Sequence, residues 1–301
     1  MPHLTRRGFS LIELLIAMVL LAIVVAGLYR ALMTNQRVYQ QQTQVIGLQQ
    51  NLRAGAAILP QELREVDATD GDISAMTATS MTVRAHRWTA VMCTQPVTGL
   101  LGGLGPNLLN GTTMIIRGQP FFGRAINIGV DSIFVRYEGD DGTRQDDGWV
   151  IGRPTAVANA VCPGVPVAAG QLVTMNLSFG AGQNFPESIV NGDPVLGFET
   201  VTYSLYQPSP SPGTPGDWYV GLTTSNGQTP LIGPVLSNGL AFAYYDSTGA
   251  VTALRTRVAR VDITLRAQTA QQIRARSGSN SLVRMVDSVL TSVALRNNRR
   301  F

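Results

Sequence analysis

The most chemically conspicuous side chain in the sequence is one carboxylate, Glu13, inside an otherwise uncharged apolar stretch from Phe9 to Tyr29. A carboxylate at bilayer depth costs about 3 kcal/mol on insertion scales, so it needs a compensating cation and is a functional candidate by default. Other groups able to do chemistry are sparse. All 23 basic residues are arginine, which excludes a Schiff-base lysine, a P-loop lysine and a cofactor-linked lysine. With His3 and His86 as the only histidines, histidine catalysis and histidine metal sites are nearly excluded, and Cys93 and Cys162 cannot make a four-ligand zinc site. The acidic run from Glu138 to Gly148, with Asp140, Asp141, Asp146 and Asp147, lacks EF-hand spacing and its terminal glutamate, so it reads as a solvated hairpin tip rather than a calcium loop. The glycines from Gly99 to Gly105 lack the spacing, the preceding strand and the lysine of a nucleotide loop. No nucleophile–base pair is visible, and no catalytic residue, metal or cofactor is expected.

The elements that must position Glu13 can be read from periodicity. About 20 apolar residues at 1.5 Å rise span a hydrocarbon core of about 30 Å, so Phe9–Tyr29 is long enough to cross a membrane. Arg6 and Arg7 before it keep that end cytoplasmic and export the chain beyond Tyr29. A cleaved secretory signal ending near Ala26 is the competing reading, and it must tolerate the carboxylate. The helical pattern continues beyond the span. Val38, Val45, Leu52, Leu59 and Val66 recur every seven residues, broadened by Leu48, Ala56 and Leu63 and separated by Gln, Asn, Arg and Thr. One helix from Phe9 to Arg64 would be about 80 Å long, with Gly55 and Pro60 as points of kinking or restart.

From residue 67 the pattern becomes alternation. Strands are expected at 81–88, 113–117, 132–137, 172–179, 199–206, 218–223, 240–245, 258–266 and 287–296. The Pro- and Gly-rich segment 208–216 reads as a long hairpin loop rather than a boundary between two sheets. Low charge, at 14%, with 31 glycines and 16 prolines suits a β-rich body and not a coiled coil or a charged disordered chain. The expected fold is therefore α+β, a long N-terminal helix, transmembrane and then amphipathic, packed on a β-rich globular head. In an exported segment Cys93 and Cys162 are a candidate disulfide, with two unrelated buried thiols as the alternative. Ten arginines between Arg255 and Arg300 face only Asp262 and Asp287. Arg260 and Arg266 flank the alternating Val261, Ile263 and Leu265, which reads as a solvated sheet face or a rim for an acidic neighbour more readily than a nucleic-acid surface.

The run Arg7-Gly8-Phe9-Ser10-Leu11-Ile12-Glu13-Leu14-Leu15-Ile16-Ala17-Met18 resembles the prepilin cleavage and N-methylation motif of type IV pilins and type II secretion pseudopilins. The resemblance implies a leader at 1–8, cleavage between Gly8 and Phe9 by a prepilin peptidase, methylation of the new Phe9 amine, and retention of a pilin helix at 9–65 with its transmembrane part at 9–29. It further implies that Glu13 serves assembly by neutralising a terminal amine. A β-rich head over 66–301 would then be periplasmic or extracellular. The order of segments in 201–206, 230–232, 240–246, 258–266 and 289–297 is similar to the layout of PilW-type minor pilins and the related J-type minor pseudopilins. Together these imply a non-enzymatic subunit held in the inner membrane, single-pass with a cytoplasmic N-terminus, which primes a type IV pilus at or near its tip. The implied partners are other major and minor pilins and the inner-membrane assembly platform. A secretion pseudopilus subunit and an exported, membrane-anchored binding module for a surface or DNA are the alternatives.

Overall fold

The computed structural model describes residues 10–100, 109–139, 142, 148–160, 162, 174–179, 185–186, 188–208, 216–274 and 281–295. Among the described residues one α-helix, α1 (Leu11–Arg64), precedes fourteen strands: β1 (Ile73–Met76), β2 (Ser80–Leu100), β3 (Leu109–Gly123), β4 (Ser132–Tyr137), β5 (Gly148–Gly152), β6 (Pro154–Ala160), β7 (Thr174–Phe179), β8 (Pro194–Tyr206), β9 (Trp218–Thr224), β10 (Gly227–Tyr245), β11 (Arg260–Gln268), β12 (Ile273–Arg274), β13 (Leu282–Val283) and β14 (Val286–Ala294). The fold is α+β. Twelve strands make one sheet in the order β14-β11-β10-β9-β8-β2-β3-β7-β6, with β1 added on β2, β4 on β8 and β5 on β4. From β1 to β11 the neighbouring strands pair antiparallel. Each of the nine expected strands has a counterpart, with residues 172–173 and 296 of the expected spans lying outside the described residues.

The chain divides into two compact units. The first is Met1–Asn51 with Gln268–Asp287, and the second is Leu52–Ala267 with Ser288–Phe301. In the first, every side chain from Leu11 to Arg30 is exposed, and α1 is the one helix among the described residues long and apolar enough to cross a membrane. Its other element is the β12–β13 hairpin, in which Ile273 faces Val283 and Arg274 faces Leu282.

In the second unit the last turns of α1 bury Leu52, Gly55, Leu59 and Leu63, followed by Val66 just beyond the helix, a stripe spaced by three and four residues. Gly55 is the point of closest approach: a β-carbon there would collide with Leu265 Cδ1 on β11 and lie 2.9 Å from Ile232 Cδ1 on β10. The sequence-based expectation of a restart at Gly55 or Pro60 is thereby corrected. The glycine lets the helix meet the sheet, and α1 runs through Pro60 to Arg64. The chain then reverses on two buried aspartates. Asp67 Oδ1 accepts from Thr69 N at 2.8 Å, and Asp72 Oδ2 accepts from Asp67 N at 2.9 Å.

Two features of the sheet bear on the site. In β2 the buried side chains alternate as Met81, Val83 and Ala85, then as Trp88, Ala90 and Met92, with Cys93 buried beyond them. The phase flips because the register against β8 shifts between His86 and Trp88, a bulge in which Arg87 has no opposite residue. Strand β8 meanwhile forks. Residues 195–198 pair with β4, residues 202–206 pair with β9, and residues 194–204 pair with β2 on the other side. Trp88, Ala90, Met92, Ile116, Ile133, Val135, Ile189 and Val195 form a core cluster beside the fork.

Candidate functional site

Among the described residues two places gather candidate functional side chains. At the N-terminus, Gly8 and Phe9 lie outside the described residues. Glu13 occupies the first turn of α1. Ser10 caps that turn: its carbonyl accepts from Glu13 N at 3.1 Å and Leu14 N at 3.2 Å, and its Oγ accepts from Glu13 N at 3.3 Å. Serine followed three residues on by glutamate is the pattern of a capping box. The local sequence therefore starts a helix at this point and fixes the carboxylate in its first turn.

The second place is in the head, where the end of α1 meets the bulge of β2 and the fork of β8. Glu62 Oε2 accepts from Arg87 Nη1 at 2.8 Å and from the Tyr203 hydroxyl at 3.0 Å. Arg87 Nε lies 3.5 Å from Glu199 Oε2, which also takes Arg124 Nη2 at 3.1 Å. Arg124 continues to Asp131 with both terminal nitrogens, and Asp131 accepts from the indole Nε1 of Trp88 at 3.1 Å and from Asn127 N at 2.8 Å. Asp131 is fully buried and the Glu199 side chain is 9% exposed, so both carboxylates require these donors. Three acids and two arginines thus form one chain of charge-assisted bonds from helix to core.

Burial alone would lower the pKa of Arg87, but the charge of Glu62 and its hydrogen bond outweigh it and leave Arg87 above its ordinary value. The hydrogen bond to Asp131 raises Arg124 in the same way. Burial, then the charge of Glu62, pushes the Tyr203 phenol well above its usual range. Each of these three groups therefore keeps its proton near neutral pH, which suits a structural joint. A cleft of about 380 Å³ opens over it, walled by Ile58, Leu222, Leu231 and His86.

Cys93 and Cys162, both buried, are joined in the structure with a Cα–Cα distance of 5.5 Å. Of the acidic run at 138–148, residues 140, 141 and 143–147 lie outside the described residues. Among the described residues no group of three His, Cys, Asp or Glu side chains could hold a metal. His86 makes a 3.0 Å hydrogen bond with Thr89 Oγ1. Arg260 pairs with Asp262 at 3.2 Å and lies over the Tyr245 ring, on a β11 whose burial alternates strictly from residue 260 to 268. Sequence reasoning missed the helix-to-core network entirely. Glu62, Arg87, Arg124, Asp131, Glu199 and Tyr203 are scattered over 141 positions, and no spacing rule connects them.

No curated protein and no solved structure matches the chain. Residues 4–29 match the family described as the prokaryotic N-terminal methylation motif. Subunits with this motif are structural components of pili, processed by prepilin peptidase and assembled with other pilins. Its match to residues 4–29, together with the bare apolar helix, supports a type IV pilin-like protein, a subunit of a pilus or pseudopilus.

Proposed function

We propose that this chain is a minor pilin: a membrane-anchored structural subunit, of the PilW type, that primes assembly of a type IV pilus and sits at or near its tip. The observation that carries this reading is the pairing of a capped Glu13 on an uncovered apolar helix with a twelve-stranded head. The helix offers other pilin helices an apolar flank, and Glu13 gives a terminal amine its counter-charge. A head of this size is bulky for a repeating lattice position and suits the end of a fibre. Cleavage between Gly8 and Phe9 removes the leader 1–8 and frees the Phe9 amine for methylation. The inner-membrane assembly platform receives the helix 9–65, with its N-terminus cytoplasmic and the head 66–301 periplasmic. Cys93 and Cys162 then stay oxidised in the envelope, where quantitative alkylation without reduction would contradict export.

Mass spectrometry of the purified protein should give a mature chain beginning at methylated Phe9, and a start at Gly27 would establish the signal-peptide reading instead. Cells lacking the chain should make few fibres, and gold label against the head should sit at fibre ends. Label along the shaft, or a normal number of fibres without the chain, would overturn the tip role. Loss of secretion with intact pili would move the chain to a type II pseudopilus.

A further inference from the structure

Charge is unevenly divided along this chain. The unit Met1–Asn51 with Gln268–Asp287 holds seven arginines against Glu13 and Asp287, and no Asp or Glu occurs from Leu14 to Gln61. The other unit holds the remaining acids and is close to balanced. Within the first unit the β12–β13 hairpin lies against α1, because the Gln271 backbone N–H donates to Gln44 Oε1 at 3.1 Å. Between helix and hairpin is a cleft of about 130 Å³ lined by Arg37, Gln40, Gln41, Gln44, Gln272 and Arg274, with Ile273 and Leu282 beside them. Among the described residues its polar lining is two guanidiniums and amides, without a carboxylate. Among the described residues neither Arg37 nor Arg274 forms an ion pair.

Such a lining suits an anion with several acceptor oxygens, since guanidinium and amide N–H groups both donate to it. Position along the helix selects the source. Arg37 lies eight residues beyond Tyr29, about 12 Å along the axis from the end of the apolar span. The headgroup layer extends about 5–8 Å beyond the hydrocarbon, and an arginine can snorkel its head group back towards it. We propose that this cleft binds the phosphate of an anionic phospholipid headgroup, docking the hairpin on the membrane surface while the subunit is held in the bilayer. The proposal rests on the membrane-anchored reading above. It adds a second, polar attachment, independent of the apolar helix.

The test uses the full-length protein in nanodiscs of phosphatidylcholine alone or of phosphatidylcholine mixed with phosphatidylglycerol, with a headgroup spin label on one lipid at a time. Labelled phosphatidylglycerol should broaden hairpin resonances around Gln271–Arg274 far more than labelled phosphatidylcholine does. The double variant Arg37→Gln/Arg274→Gln should lose that preference by about 30-fold, and Arg37→Lys/Arg274→Lys should retain most of it. Equal broadening by both lipids, or a double variant like the wild type, would overturn the proposal. Protection of the hairpin by inorganic phosphate in detergent without a phosphatidylglycerol preference would reduce the site to a free-anion site. Protection by an acidic neighbouring subunit alone would make it a protein contact. Both outcomes refute the lipid assignment. Failure of the chain to enter nanodiscs would sink the anchored reading and this proposal together, whereas entry without lipid preference sinks only the latter.

Discussion

Glu62 in the last turn of α1 and Arg87 in the bulge of β2 form an ion pair at 2.8 Å across 25 residues, and this pair is where the helix is fastened to the sheet by charge. The Arg87 side chain is 15% exposed and that of Glu62 28%, so the pair is neither a surface bridge nor a fully desolvated one. Glu62 also serves Tyr203, so its loss strands two donors at once.

Glu62→Ala should therefore lower stability by about 2 kcal/mol, the penalty of unsatisfied half-buried donors. Glu62→Gln keeps an acceptor for Arg87 and Tyr203 and should lose about half of that. Urea midpoints of the full chain in detergent decide it. Equal, negligible losses in both variants would mean the joint is held by the apolar stripe alone.

Alkaline stability depends on the buried phenols. Burial raises Tyr203 and Tyr244 well above the ordinary tyrosine value of 10.0. A native pKa above the unfolded one means that the native state holds the proton longer. The contribution is thus complete below about pH 10 and is lost as pH rises through the native values. Phenolate absorbance should show some tyrosines ionising only as the protein unfolds. Tyr203→Phe should flatten the alkaline part of the stability curve, and an unchanged slope would refute the assignment.

Packing at the fork can be tested with one methyl group. A β-carbon at Gly197 would fall within the indole of Trp88, which is fully buried and hydrogen-bonded to Asp131. Gly197→Ala should lower stability by about 3 kcal/mol and shift tryptophan emission. Gly47→Ala, whose β-carbon meets nothing within 4 Å among the described residues, is the control, and equal effects would show that the contact is not decisive.

Opposite signs are expected for Glu13→Ala in membrane and fibre. Removing the carboxylate makes the helix more apolar by up to about 3 kcal/mol on insertion scales, so anchoring should strengthen. Incorporation into fibres should fall, because a terminal amine loses its counter-charge. Wild-type incorporation of the variant, measured by fibre fractionation, would favour the anchored binding module.

Periodic features were legible in the sequence, and features that depend on distant residues were not. The stripe through Leu52, Leu59 and Leu63 and the alternation of β11 arise from local spacing and emerge as expected. Strand lengths were underestimated in β2, β3 and β10, where Pro or Gly suggested an end, whereas β4 and β8 do stop before Gly139 and Pro208. β2 continues through Pro96, and β10 carries Pro230, Gly233, Pro234 and Gly239 within one strand by shifting register between Pro230 and Ile232, Ile232 and Val235, and Val235 and Leu240. Gly55 read as a helix breaker because its partners, Ile232 and Leu265, lie about 180 and 210 residues away. The same applies to the charged joint: Arg87 is one arginine among 23 until the bulge turns it towards Glu62.

The fork in β8 also sets the order in which the head can be completed. Thr82 on β2 and Thr202 on β8 are bonded across 120 residues, and β3 to β7 all lie in the intervening chain. A chain made N-terminus first leaves the β8-facing edge of β2 open until residues 194–204 have been added. Contacts of such sequence separation close slowly, because a long loop must be ordered before any of them forms. Throughout that interval β2 presents an edge whose partner strand has not yet been made. Such an edge is open to pairing with another chain, so the order of synthesis as well as the final stability bears on how much of the head closes correctly.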